Sequence, residues 1–236
     1  MKKILAFSLL CVFCALASPS AFAFLDDERR FNTENPLFFE SPSDILSRTG
    51  MDYGDSILAV RQQLSVGVTR RLALRGIVNW QHDCDGTRDG FSHSGLGFAY
   101  RVSESGTIAD LFANIKFGGR ARTPEYAETV YSVGTLVGRT WSRFTYAATL
   151  ETSWIFHEIH GMAYIDLTPE VYVNIYEGWS IGANLMFRKA TNPLFDGEWV
   201  GGKITKQYGR TMYVGYGDYE FERHDFRFGG RINILF

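Results

Sequence analysis

The 236-residue chain is poor in several features that define common protein classes. It has only three cysteines, too few for a disulfide scaffold, and only six prolines. Its net charge of −2 comes without any basic block, which argues against a dedicated nucleic-acid binder. Beyond the first two dozen residues there is no apolar run of about 18 residues, so no transmembrane helix is predicted there. The chain is instead rich in aromatics and contains 24 glycines, which favours many short strands.

The N-terminus has the pattern of an export signal. Lys2 and Lys3 precede an apolar stretch over 4–17, and residues 21–23 have the small-residue A-x-A pattern of a cleavage site. We therefore predict a signal peptide over 1–23 that is removed from the mature protein.

The rest of the chain alternates between apolar and polar residues in blocks of about ten. In one block Phe144, Tyr146, Ala148, Leu150 and Trp154 share a face, opposite Arg143, Thr145, Thr149, Glu151 and Ser153. Short and long connections alternate between the blocks, which is typical of antiparallel hairpins in an outer-membrane barrel. This pattern predicts an all-β fold, a transmembrane antiparallel up-and-down β-barrel, over 44–236.

Eleven strands are clear, and an even number requires one more at 44–53. The predicted strands are 44–53, 56–69, 72–81, 92–102, 107–117, 128–138, 143–156, 162–176, 179–188, 198–207, 211–221 and 225–236. Because 44–53 and 198–207 alternate poorly, ten strands is the alternative to twelve. Residues 24–43 remain as an N-terminal extension, either in the periplasm or inside the lumen.

The apolar faces need an apolar partner, which we expect to be lipid. Backbone groups inside hydrocarbon must all be paired, so a strand protein there has to close on itself. A soluble sandwich would need a second sheet and polar outer faces. The predicted location is therefore the outer membrane, with its lipid and lipopolysaccharide as partners and no nucleic acid.

The chain ends on an apolar, aromatic pattern formed by Ile232, Ile234 and Phe236. It resembles the C-terminal signal of Gram-negative outer-membrane β-barrel proteins, and the resemblance implies the outer-membrane insertion machinery and periplasmic chaperones as partners. The stretch GFSHSGLGFAYR at 90–101 is also similar to exported barrels linked to the degradation of aromatic compounds.

The polar faces carry more basic than acidic residues, and these are the predicted lumen-lining charges. The basic residues are Arg61, Arg75, Arg101, Lys116, Arg143, Arg188, Lys203, Arg227 and Arg231, and the acidic ones are Asp110, Glu151, Asp166, Glu170 and Asp225. They predict either a salt-bridged interior that is water-filled or plugged, or a narrow pore that attracts small anions.

Histidines and carboxylates cluster at the predicted long loops. His82 and Asp83 form one group, and His157 and His160 form another, so either group contains a candidate general base. The spacing His-Glu-x-His is shorter than the H-E-x-x-H pattern of a helical zinc site. We predict no metal and no cofactor, and we interpret Cys84 as an incidental loop thiol.

These observations leave three functional hypotheses. The first is a passive, porin-like channel for small solutes, including anionic or aromatic ones. The second is an outer-leaflet hydrolase or lipid-modifying enzyme with its site at the extracellular rim. The third is a structural or surface-interaction barrel without transport.

Overall fold

The structure, a computed structural model, describes residues 36–54, 56–84, 89–119, 128–156 and 161–236. The strands are β1 Ile45–Gly54, β2 Ile57–Thr69, β3 Leu72–Asp83, β4 Asp89–Ser103, β5 Ile108–Gly118, β6 Thr129–Trp141, β7 Phe144–Phe156, β8 Met162–Tyr176, β9 Trp179–Ala190, β10 Gly197–Tyr208, β11 Thr211–Glu220 and β12 Asp225–Leu235. The prediction of twelve strands is confirmed and the alternative of ten is wrong. A short 3₁₀ helix, Pro193–Phe195, precedes β10.

The strands form one closed antiparallel barrel in which every strand pairs with its neighbours in the sequence. Closure is made by β1 and β12, where Leu46 is opposite Leu235 and the register continues to Tyr53 opposite Phe228. The Phe236 N–H also donates to the carbonyl of Ile45 at 2.9 Å. Closure leaves no sheet edge, which is the condition for a strand protein to cross hydrocarbon.

The outer face of the barrel is apolar along most strands, as the alternation predicts. Its exposed side chains include Leu64, Leu74, Leu96, Leu111, Val133, Leu150, Ile165, Ile181, Ile204, Tyr213, Phe228 and Ile232. A water-soluble protein does not expose so continuous an apolar surface. The fold is therefore that of a transmembrane up-and-down barrel.

One small part of the outer face is polar, at the middle of β1 and β2. The Thr49 hydroxyl donates to Gln62 Oε1 at 2.5 Å, and Gln62 Nε2 donates to Ser47 Oγ at 2.9 Å. These bonds satisfy the amide within the wall, which lowers the cost of placing it on an apolar face.

None of the helical segments within the described residues is long and apolar enough to cross a membrane.

The two rims of the barrel differ. At one, the short-turn rim, β8 and β9 are joined by Glu177 and Gly178, both with positive φ (44° and 76°), which suits a two-residue hairpin turn. The opposite long-loop rim carries the longer connections, including 191–196 between β9 and β10. This distribution of turns agrees with the predicted short–long alternation.

The hairpin of β3 and β4 extends further than the sequence predicts. His82 and Asp83, expected in a loop, belong to β3, and β4 begins at Asp89. The pairing shifts by one residue beside Asn79, whose Nδ2 donates to Ser92 Oγ at 2.7 Å inside the wall. This β-bulge interrupts the alternation on β4. Because the prediction follows strict alternation, its strand begins at 92, three residues after the observed start at Asp89.

Candidate functional site in the lumen

The segment 36–43, hereafter the N-terminal segment, lies inside the barrel close to the short-turn rim. Leu37 lies against the inward position of Gly138 on β6, where an added Cβ would be 2.6 Å from Leu37 Cδ2. At its other end, Ser41 lies against Gly67 on β2, where a Cβ would be only 2.0 Å from the Ser41 carbonyl oxygen. The N-terminal segment thus crosses the lumen from β2 to β6.

Arg101 on β4 fixes the N-terminal segment to the wall. Its Nη2 donates to the Leu37 carbonyl at 2.7 Å, and its guanidinium lies 4.6 Å from the centre of the Phe39 ring. The same guanidinium pairs with Asp110 on β5 through Nε to Oδ1 at 2.8 Å and Nη2 to Oδ2 at 3.0 Å. A two-point pair of this kind fixes the guanidinium plane, so the contacts to the segment are preorganised.

Backbone hydrogen bonds hold the end of the N-terminal segment where it enters β1. The Ser43 N–H donates to the Gly67 carbonyl at 3.0 Å, and the Gly67 N–H donates to the Asp44 carbonyl at 3.1 Å. Glu40, by contrast, is 1% exposed, and neither of its carboxylate oxygens has a hydrogen-bond partner among the residues that the structure describes.

Many charged side chains of the lumen form pairs, most of them between neighbouring strands and one, Lys203–Glu170, between β10 and β8 across β9. The pairs are Arg101–Asp110, Arg188–Asp166, Lys203–Glu170 at 3.5 Å, Arg227–Asp218 at 2.8 Å and, more loosely, Arg61–Asp52 at 4.0 Å. Pairs on adjacent strands stiffen the wall and cancel each other's charge.

Three inward charges stand apart from this pattern. Arg75 on β3, Lys116 on β5 and Glu151 on β7 form no ion pair among the residues the structure describes. The Arg75 Nε is also enclosed, with no acceptor within the described ranges. All three line one cavity of about 350 Å³ in the lumen. Arg48 on β1 and Asp110 on β5 line the same cavity, so its wall has three basic and two acidic side chains.

Small residues on β4 make room for this cavity. Gly97 is opposite Arg75 on β3, and Gly95 is opposite Lys116 on β5. A Cβ at Gly97 would lie 2.1 Å from Asn114 Oδ1. Because β4 has no side chains at these positions, Arg75 and Lys116 face a shared space above it.

The same cavity has apolar lining residues that the sequence reasoning missed. Ile77, Phe112 and Leu136 line it from β3, β5 and β6, and Phe38 lines it from the N-terminal segment. Phe112 lies on the same face as Asp110 and Lys116 by strict alternation, so the period of two could have identified it. Phe38 had no such signal, because the N-terminal segment has no periodic pattern.

A second cavity, of about 270 Å³, lies nearer the long-loop rim. Arg188 pairs with Asp166 at 2.8 Å and 2.9 Å and lies 4.0 Å from the centre of the Tyr164 ring. Phe195, from the 3₁₀ helix, packs against a buried cluster that includes Tyr164. The 191–196 loop thus folds inward over this part of the lumen.

The base of that loop is anchored by Asp196. Its Oδ1 accepts from the Ala190 N–H at 2.8 Å, and its Oδ2 accepts from Lys189. The hydrogen bond from Ala190 and then the contact with Lys189 lower the pKa of Asp196 below its usual value. The loop is therefore anchored by an ionised carboxylate at neutral pH.

The histidine candidates are not brought together in the described part of the chain. His82 stacks on Trp80 of the same strand with ring centroids 6.2 Å apart, on the outer face. Asp83, the next residue, is 8% exposed and points to the other face, so His82 and Asp83 do not form an acid–base pair. His157 and His160 lie outside the described residues. Cys84 is a free, exposed thiol beside β3.

No group of three His, Cys, Asp or Glu side chains that could hold a metal ion occurs within the ranges that the structure describes.

Two predicted lumen residues have different surroundings from the rest. Arg143 lies in the turn before β7, with its guanidinium 5.4 Å from the centre of the Phe144 ring, rather than along the lumen wall. Arg231 faces inward on β12 and lies 5.7 Å from the centre of the Tyr216 ring. The C-terminal residues Ile232, Ile234 and Phe236 are exposed on the outer face.

No protein-family model matches the chain, and no curated protein is similar to it in sequence. Solved structures are similar in fold. The NanC porin has a TM-score of 0.63 at 10% identity, covering 81% of this chain and 98% of its own. The KdgM porin has a TM-score of 0.60 at 12% identity, with coverages of 81% and 99%. An outer membrane channel from Pseudomonas putida F1 has a TM-score of 0.58 at 10% identity, with coverages of 86% and 98%. At these identities the likeness establishes the barrel fold alone.

Proposed function

We propose that the chain is a passive channel for small solutes in the outer membrane, with a preference for anions. The observation that carries this proposal is the pairing pattern of the lumen, in which Arg75 and Lys116 line a cavity without an ion pair to any described residue. Basic side chains in a narrow pore favour anionic solutes. The shared fold with two porins and an outer membrane channel supports the same function.

The proposed orientation places the short-turn rim in the periplasm and the long-loop rim outside the cell, as is usual for such barrels. In this proposal residues 1–23 are a cleaved signal peptide and 24–43 are a lumenal extension. The contacts of Leu37 and Phe39 with Arg101 support a lumenal position for its described part.

The proposed partners follow from the outer face. Its apolar side chains would contact lipid, and aromatic residues near the rims, such as Trp80 and Trp154, suit the headgroup regions. The exposed C-terminal residues Ile232, Ile234 and Phe236 would be available to the insertion machinery and its chaperones during assembly.

Electrical recording from purified protein in planar lipid bilayers tests the channel. The chain from Phe24 onward and a variant lacking 24–43 would be recorded side by side in KCl. We expect small conductance steps from the longer chain and larger, steadier steps from the shorter one, because the N-terminal segment occupies the lumen. A complete absence of conductance from both proteins, when each is folded, would refute the channel.

A further inference from the structure

We propose that the cavity beside Arg75 and Lys116 is a binding site for an organic monocarboxylate with an apolar body of about one ring. The inference rests on the proposed channel, because the solute would meet this site while crossing the lumen. The carboxylate would lie on the two cations, and the body would lie against Ile77, Phe112 and Phe38.

The polar half of the site lacks only its acceptor. The Arg75 Nε is enclosed and has no hydrogen-bond partner in the described part of the chain, whereas buried donors in folded proteins are nearly always bonded. A guanidinium matches the two oxygens of a carboxylate in one plane, and the Lys116 ammonium adds a point charge across the glycines of β4. A carboxylate bound here would satisfy the donor and neutralise one cation.

Glu151 sets the charge of the solute. It lines the same cavity and has no ion pair among the described residues. Arg48, Arg75 and Lys116 attract a negative charge into the cavity, whereas Glu151 repels each further negative charge on the solute. A dianion such as phosphate would add a second negative charge near Glu151, which disfavours it.

The apolar half of the site sets the body of the solute. An aqueous lumen gives no reason for Ile77, Phe112 and Leu136 to face inward together, since these side chains gain by leaving water. The cavity, at about 350 Å³, is at the small end of the range for small-molecule sites. One ring with one carboxylate fits such a space, and a chain of several sugars does not.

The N-terminal segment closes the site on its periplasmic side. Pro36 and Phe38 line the cavity, and Leu37 between them is fixed by Arg101. A solute from the long-loop rim would therefore stop on this floor beside both cations. Release toward the short-turn rim would require the segment to move.

Isothermal titration calorimetry on the detergent-solubilised chain from Phe24 onward tests the site with four probes. The probes are benzoate, cyclohexanecarboxylate, benzamide and inorganic phosphate. We expect both carboxylates to bind, and benzamide and phosphate to bind at least about tenfold more weakly, the loss of one charge-assisted contact. Equal binding of benzamide or phosphate would overturn the proposal, and this comparison needs no variant.

Variants locate the site. Arg75→Gln and Lys116→Gln should each weaken benzoate binding by about tenfold, and Glu151→Gln should strengthen it. Arg223→Gln is the matched control and should leave benzoate binding unchanged. Arg223 lies at the long-loop rim, where its Nε is 3.5 Å from Glu220 Oε1. Heat-modifiable migration on gels would confirm that each barrel is folded. Unchanged benzoate binding in both folded cavity variants would overturn the proposal.

The result is separable from that of the channel. Conductance without benzoate binding would support the channel and refute the binding site. Benzoate binding that depends on Arg75, without conductance, would support the binding site and refute the channel.

Discussion

Arg101 and Asp110 face each other across β4 and β5 and form a two-point ion pair, with oxygen–nitrogen distances of 2.8 Å and 3.0 Å. Both side chains are 9% exposed. The Arg101 guanidinium also reaches the Leu37 carbonyl, so one pair joins the wall of the barrel to the N-terminal segment that crosses it. The contents of the lumen and the stability of the wall are therefore coupled through this pair.

Replacing Arg101 by Ala should affect both properties. The change leaves Asp110 enclosed without its partner, and removing one member of a buried pair costs about 3–5 kcal/mol. We expect a loss of this size in the free energy of unfolding, measured by urea titration in lipid vesicles, together with larger conductance steps.

Arg71→Ala is the control, since Arg71 and Glu104 form a half-exposed pair at the short-turn rim. It should lower the stability much less, since solvent screens an exposed pair, and leave conductance unchanged. Equal effects of the two variants would contradict the assigned role of Arg101.

Gly67→Ala tests the position of the N-terminal segment without touching a charge. A Cβ at Gly67 would lie 2.0 Å from the Ser41 carbonyl oxygen, so the segment has to move away. We expect conductance to rise toward that of the variant lacking 24–43.

Gly50→Ala is the matched control for this substitution. Gly50 also faces inward, on the neighbouring strand β1, but the nearest atoms to its Cβ would be at an ordinary 3.5 Å. Conductance should stay at the native level. If Gly67→Ala behaved like Gly50→Ala, the N-terminal segment would not be the obstacle in the lumen.

The sequence predicts the wall of the barrel better than its interior, because alternation is local and the interior depends on register. Inward and outward faces follow from a period of two, and Phe144 to Trp154 is one clear example. Arg75 and Lys116 face a common space only because of which residues stand opposite them on β4. That register includes one-residue shifts beside Gly67, Asn79 and Arg101, and no single strand contains the information to place them.

The predicted histidine cluster shows the same limit. Proximity along the chain places His82 beside Asp83, but consecutive residues of a strand point to opposite faces. Once β3 extends to Asp83, the two side chains are separated by the wall of the barrel. The polar composition of the segment predicts a loop. The structure has a strand there, on which His82 stacks against Trp80.

The anchoring of the 191–196 loop by Asp196 should depend on pH. The lowered pKa of Asp196 means that the ionised form is favoured in the folded protein. Its contribution is present above the ordinary carboxyl pKa of 3.8 and is lost as the pH falls through the lowered value. Asp196→Asn mimics the protonated group at neutral pH, so trypsin should cleave after Lys189 faster in this variant. Glu222→Gln, in the exposed turn after β11, should leave that cleavage rate unchanged. A cleavage rate in Asp196→Asn no higher than that of the native chain would contradict the anchoring.

The reversal potential across a KCl gradient decides the proposed anion preference, because its sign shows which ion the lumen prefers. For the native chain we predict a reversal potential shifted toward the equilibrium potential of chloride. The shift should be smaller when Arg75→Gln and Lys116→Gln are combined, and larger in Glu151→Gln. A native reversal potential closer to the equilibrium potential of potassium, unchanged by all three substitutions, would contradict the anion preference.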